Sequence, residues 1–265
     1  METLRKRLAR LCRPGQFHLL VELVRANFKI TDQNTILGMT WSLIMPVFFT
    51  AVMFFLFRNR FSTGGPEYAL FILIGVSTIG FFLNAVTGMM NIFQSSREMV
   101  LNTTVPRESL MVATMGNALI KYAIELLFAF CAAIALASPW WAGLPLLIPL
   151  IAALCALVMG IGMALAVTSG FTRDVQYLWV LVSRVLLFAT PVFYQLNTVS
   201  PIAGKIVYYC NPISPFLVCL RRIIIGRTPE PFFQAYVHSL AAGFGLLLIV
   251  YLLFLRYEYT AVERS

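Results

Sequence analysis

The sequence predicts an all-α integral membrane protein. Six transmembrane helices are expected, with an amphipathic interface helix before them and a re-entrant or surface helical hairpin between spans five and six. Three observations carry this expectation. Charged residues make up 12% of the chain, apolar residues 60%, and mean hydropathy is +0.83. Soluble domains carry about a quarter charged residues, so this chain has too few to cover a water-facing surface. Six apolar stretches, roughly 38–57, 68–93, 109–136, 142–169, 176–194 and 236–255, each approach or exceed the length that crosses about 30 Å of hydrocarbon. Finally, basic residues crowd the start, with seven of the twenty before residue 30.

Residues 1–37 form the basic N-terminal segment. Arg5, Lys6, Arg7, Arg10, Arg13, Arg25 and Lys29 precede the first apolar run. Net charge is +9, which in a soluble protein would raise nucleic acid as a partner. A basic tail ahead of apolar spans points instead to anionic lipid on the cytoplasmic side. No short apolar run with a small-residue cleavage site follows the basic start, so the first span is expected to act as an uncleaved signal.

Within that segment, Phe17, Leu20, Val21, Val24 and Phe28 recur at spacings of three and four. His18, Glu22, Arg25 and Lys29 follow the same spacing, offset by one. On a helix these are separate apolar and polar faces. A short, charged, two-faced helix lies in the membrane interface or packs on the bundle floor.

The spans occupy 38–255, with a tail at 256–265. An even number of spans places 1–37, 94–108, 170–175 and 256–265 on one side. That side holds twelve basic residues, against six on the other (Arg58, Arg60, Lys205, Arg221, Arg222 and Arg227). The bias places both termini in the cytoplasm. The longest polar connection, 195–235, contains Pro201, Pro212, Pro215, Pro229 and Pro231. Ile202–Tyr209 and Phe216–Ile225 fit short helices there, too short to span.

The motifs of soluble catalysis are missing. The chain has no G-x-x-x-x-G-K-S/T, no H-E-x-x-H and no G-x-S-x-G. Its aspartates are Asp32 and Asp174 and its histidines His18 and His238. Cys12, Cys131, Cys155, Cys210 and Cys219 form no C-x-x-C, so neither a disulfide framework nor a metal site is expected. No cofactor of its own is expected.

Three charges fall inside predicted spans: Lys121, Glu125 and Arg184. Charge at membrane depth is expensive and usually faces the bundle interior or water. Lys121 and Glu125 are one helical turn apart, and Glu125 and Arg184 are candidates for a pair between spans three and five. These groups line a polar path, or fix helix register as a buried pair. Trp41, Phe48 and Phe55 fall seven apart in span one, while Tyr177, Phe188 and Tyr194 mark span five. Their aromatic faces suit either lipid and an interfacial belt or the stacking of sugar rings along a channel.

Several motifs, in order along nearly the whole chain, carry a resemblance. They are Leu37-Gly38-Met39-Thr40-Trp41 with Pro46, then Val105-Pro106-Arg107-Glu108, and Arg173-Asp174. Thr190-Pro191-Val192-Phe193-Tyr194, Asn211-Pro212 and Arg221-Arg222 complete the series. The chain resembles the type-2 permeases of ATP-binding-cassette exporters, in the branch that exports O-antigen, capsule and teichoic acid polysaccharides. Val105 departs from the phenylalanine common in that family.

The resemblance implies a homodimer with two copies of a separate ATPase subunit that binds ATP and Mg. It also implies a lipid-linked polysaccharide substrate and a bacterial cytoplasmic (inner) membrane. By the same resemblance, Ser95–Leu110 would hold the ATPase-coupling segment, with Arg97, Glu98, Pro106, Arg107 and Glu108. Spans one and five would line the path, with Trp41, Phe48, Phe55, Tyr177, Arg184, Phe188 and Tyr194. The 195–235 hairpin would cap its external mouth. A type-2 permease for another lipid or drug, a proton-coupled secondary carrier and a lipid-linked membrane transferase are the competing readings.

Overall fold

The computed structural model describes residues 22, 24, 40–57, 65–95, 107–136, 139–226 and 231–264, and most of them are helical. The α-helices are α1 (Thr40–Phe57), α2 (Pro66–Ser95), α3 (Arg107–Leu136), α4 (Leu147–Phe171), α5 (Asp174–Ala189), α6 (Pro201–Cys210), α7 (Ser214–Ile225) and α8 (Phe232–Arg264). Short 3-10 turns at Trp141–Leu146 and Leu196–Thr198 precede α4 and α6.

Five of these segments are long and apolar enough to cross a bilayer: Thr40–Phe57, Glu67–Ile92, Ser109–Leu136, Trp141–Phe171 and Phe232–Leu253. The sequence expects a sixth span over 176–194, and here the structure differs. Helix α5 has 16 residues and ends at Ala189, with Thr190 extended at its C-terminus. At 1.5 Å per residue it reaches about 24 Å, less than the hydrocarbon thickness. Pro191 is the cause, since a proline disfavours the helical conformation for the residue before it and has no N–H to continue the ladder.

Helix α2 is the centre of the bundle and packs on α1, α3, α4, α5 and α7. Its first residue is Pro66, with Glu67 in the first turn, both favourable at a helix start. Ile72, Ile74, Phe82, Ala85, Val86 and Met89 are sealed inside. Tyr122 of α3 stacks on Phe81 at 4.7 Å, and its hydroxyl bonds that of Thr78 at 3.0 Å.

The most extensive pairing joins α4 to α8. Hydrocarbon gives helices no solvophobic reason to associate, so they meet where small residues let backbones approach. Gly243 sits directly against the Ala153 carbonyl, and a Cβ at Gly160 would lie 3.2 Å from the Leu247 backbone.

The short helices α6 and α7 differ in environment. Helix α6 buries no residue, and Ser200 caps it by accepting from the Ala203 N–H at 3.4 Å. In α7, every residue except Arg222 is buried. The expectation for this stretch is a re-entrant or surface helical hairpin, and the structure buries its second half. The reason is composition: Phe216–Leu220 and Ile223–Ile225 make α7 mostly apolar, so it packs among α2, α3, α4 and α8, and Arg221 on its polar side is taken up by buried carbonyls. Gly226 ends it in the left-handed region at φ 84°, the usual use of glycine after a helix.

Candidate functional site

The exposed aromatic faces of α1 and α5 are the first part of the site. On α1, Thr50 is the buried residue, whereas Trp41, Met45, Phe48, Val52, Phe55 and Leu56 are exposed. Trp41, Phe48 and Phe55 thus share one open face, as their sevenfold spacing requires. The opposite face, with Phe49 and Phe54, packs on the core.

Helix α5 is held on α2 by one side. Trp179 is buried, donates from Nε1 to Thr87 Oγ1 at 2.8 Å, and lies 6.2 Å from the Phe82 ring. The other side presents Tyr177, Leu181, Arg184 and Phe188, spaced four, three and four apart and all exposed. Arg184 is therefore the charge in the middle of an apolar, aromatic stripe. Tyr194 does not join that stripe. It is half-buried, and its hydroxyl turns back to the Ala189 carbonyl at 3.0 Å.

The structure also separates the candidate charges. Lys121 and Glu125 are half-buried on α3, with Lys121 in the electrostatic field of Glu125 and Ser77 of α2 beside it. Glu125 has no ion pair with Arg184 among the described residues. The proposed pair between spans three and five is thereby corrected: α5 packs on α2 and α4, and its arginine faces away from them.

The second part of the site is a buried polar clasp at the end of α5. The turn 190–193 leaves helical geometry inside the bundle, where each freed carbonyl needs a donor. Donors arrive from three other elements. Asn211 Nδ2 donates to Thr190 Oγ1 at 2.7 Å. Arg221 Nη1 donates to the Pro191 carbonyl at 2.7 Å, and Nη2 to the Val192 carbonyl at 3.0 Å. Tyr68 Oη donates to the Phe193 carbonyl at 2.8 Å. Four consecutive residues are thus each held by a side chain from α2, from α7 or from Asn211, which follows α6.

Arg221 does more than cap the turn. It is buried, and its Nε and Nη2 also donate to the Phe71 carbonyl of α2, at 3.3 and 3.1 Å. Its guanidinium lies 3.3 Å over the Phe71 ring. A buried charge is tolerated only when hydrogen-bonded, and the planar fork of arginine satisfies several carbonyls at once. Gly75 makes room for it, since a Cβ there would sit 2.9 Å from Nη2 and 3.0 Å from Val192 Cγ1. Phe193 completes the junction. Its ring lies 6.2 Å from Phe49 and 5.9 Å from Phe57 of α1, and 6.1 Å from Phe188 of α5.

The motif segments Thr190–Tyr194, Asn211–Pro212 and Arg221 therefore converge in space. Tyr68, Gly75, Thr87 and Trp179 carry part of the architecture, and sequence reading does not single them out. The sequence signals for Arg221 are its place in the Arg221-Arg222 motif and the setting of that pair in the otherwise apolar run Phe216–Ile225. Between α6 and α8, Tyr209, Phe233, Gln234, Val237 and His238 line an open groove of about 480 Å³, also without a sequence signal.

Of the expected coupling residues, Arg97, Glu98 and Pro106 lie outside the described residues, while Arg107 and Glu108 open α3. Of the expected interface helix, Phe17, His18, Arg25 and Lys29 also lie outside them. Glu22 is helical and exposed; Val24 is helical and half-buried, and a Cβ at Gly116 of α3 would lie 3.3 Å from it.

The chain is 20% identical to an O-antigen export system permease protein RfbA of Klebsiella pneumoniae over 252 residues, 93% of this chain and 95% of the relative. It is 21% identical to the protein of that name from Myxococcus xanthus over 216 residues, 80% of this chain and 82% of the relative. Residues 18–225 match the family described as ABC-2 type transporter. That match covers residues 18–30 of the two-faced N-terminal segment, the first five apolar stretches and the whole clasp, and the chain belongs to the ABC-2 type transporter family.

Proposed function

We propose that the chain is the channel-forming transmembrane subunit of an ATP-driven exporter. It moves a lipid-linked, O-antigen-like polysaccharide outward across the bacterial cytoplasmic membrane. The observation that carries this reading is the alignment with O-antigen export permeases over as much as 95% of their length. The geometry supports it through Arg184. An arginine on an exposed helix face at membrane depth is costly against lipid, so that face belongs on water or against another subunit. Two copies of the chain that bring α1 and α5 together enclose a path with aromatic walls and one cation per copy.

In this reading α5 and the turn 190–193 together make the sixth crossing, α6 and α7 form a re-entrant hairpin, and both termini are cytoplasmic. Trp41, Phe48, Phe55, Tyr177 and Phe188 offer ring faces to the apolar faces of sugars, a contact that holds no single position tightly. The polymer can then slide. The chain carries no P-loop, so the work comes from a separate ATPase subunit that binds ATP and Mg, in two copies. It meets the permease at the connection between α2 and α3, around Arg97, Glu98, Pro106, Arg107 and Glu108.

Affinity purification of the tagged chain from its own membrane in mild detergent tests this reading. A stoichiometric soluble partner with a P-loop is the expected result. Recovery of the folded chain alone, across several detergents, overturns it.

A further inference from the structure

Helix α2 is continuous from Pro66 to Ser95 and touches α1, α3, α4, α5 and α7. One end leads into the connection assigned above to the ATPase. The other end carries Tyr68 and Phe71, which bind the turn 190–193 and Arg221. The clasp is thus a three-way joint. Arg221 joins α7 to α2 through the Phe71 carbonyl, and to the end of α5 through the Pro191 and Val192 carbonyls. Gly75 keeps the joint closed, because any side chain there would displace either the guanidinium or Val192.

We propose that Arg221 is the positioning residue that fastens the end of α5 and the α6–α7 hairpin to α2, so that a displacement of α2 driven at its far end is delivered to the turn 190–200. This rests on the exporter reading. Its physical basis is stiffness. A 30-residue helix moves as a rod, whereas a turn without a regular ladder follows whatever holds its carbonyls. Lysine in place of arginine keeps the charge but loses the planar fork, and it cannot bind carbonyls from α2 and α5 in the same geometry. Arg222, next in sequence, is the internal control. Its Nη1 bonds the Gly226 carbonyl at the end of its own helix and its guanidinium lies 6.0 Å from the Trp140 ring, so its contacts are away from the turn 190–193.

The test uses the purified complex of full-length permease and ATPase, with an Oη-free variant, Tyr68→Phe, beside Arg221→Lys and Arg222→Lys. Export and ATP hydrolysis are measured together. Thiol labelling of Thr198→Cys, an exposed site within that stretch, is followed at that peptide by mass spectrometry with and without ATP. In the parent complex the labelling rate changes by about threefold or more between the two states. Arg221→Lys abolishes that change and lowers export per ATP by about tenfold, while hydrolysis continues, and Arg222→Lys alters neither. Should Arg221→Lys fail to insert, Tyr68→Phe decides the matter, with a loss of about threefold in export per ATP expected from one hydrogen bond.

A parent complex that exports with ATP but shows no nucleotide-dependent labelling at position 198 overturns the proposal. So does normal export per ATP in either clasp variant. A parent complex with no ATP-dependent export at all instead overturns the exporter reading beneath it, so the two failures are distinguishable.

Discussion

Arg221 and Pro191 stand 30 residues apart and meet inside the bundle, with the Arg221 Nη1 donating to the Pro191 carbonyl at 2.7 Å. The bond explains how a broken helix is stable at this depth. Pro191 ends α5 before it can cross, and the carbonyls then exposed would each be costly in hydrocarbon. Arg221 and Tyr68 satisfy them, and Asn211 binds the Thr190 hydroxyl beside them. The same contacts make a buried arginine tolerable, so neither the break nor the charge is stable without the other.

The Asn211→Leu substitution tests the polar side of this arrangement. Asn211 donates to Thr190 Oγ1 and accepts from the Ile213 N–H at 3.0 Å. Leucine removes both bonds and leaves a buried hydroxyl and a backbone donor without those partners. Stability should fall by about 1–3 kcal/mol for each group left unsatisfied. Thermal unfolding in detergent, followed by size exclusion, should show a lower midpoint. An unchanged midpoint would contradict the arrangement.

Trp179 anchors α5 to α2 both by its ring and by its indole N–H. Replacing it with phenylalanine keeps most of the packing and loses the Thr87 bond, at about 1 kcal/mol. Alanine also opens a cavity beside Phe82, at about 3–5 kcal/mol. A graded loss of unfolding temperature, small for Trp179→Phe and large for Trp179→Ala, is the expected outcome.

Gly243→Val addresses the pairing of α4 with α8. The added side chain must enter space held by the Ala153 carbonyl, which is backbone and does not yield. The helices should separate, and the folded yield in the membrane fraction should drop sharply. The overpacking cost is about 1–3 kcal/mol or more. Folding at the parent yield would contradict the close approach.

The intramembrane charges make a prediction about coupling. Lys121 and Glu125 are one turn apart on α3, whereas Arg184 lies on the exposed face of α5. A double-mutant cycle between Lys121→Met and Glu125→Gln should therefore give a coupling energy above about 0.5 kcal/mol, while the cycle between Glu125→Gln and Arg184→Leu should be additive. Stability in detergent is the measurement, and coupling in the second cycle alone would reverse the assignment.

The sequence made the long helices legible because burial in hydrocarbon leaves a continuous apolar run. It also made the exposed face of α1 legible, since the spacing of Trp41, Phe48 and Phe55 allows them only one side. Two features escaped. Arg221 counts as a loop charge when residues are assigned to sides of the membrane, because nothing local reveals that carbonyls 150 and 30 residues away will surround it. The length of α5 was also hidden: Val192, Phe193 and Tyr194 continue the apolar run past Pro191, and hydropathy reads through a proline that ends the helix. Tyr194 leaves the α5 stripe for the same reason, since its position on a continued helix is not the one it takes after the break.

The most direct test of the central claim is translocation in inverted membrane vesicles containing this chain and its ATPase partner, supplied with labelled lipid-linked polysaccharide on the outside. The account predicts movement of the label into the lumen only when ATP is hydrolysed, and its loss when the ATPase is inactivated. Movement that proceeds without hydrolysis, driven by a proton gradient alone, would contradict it.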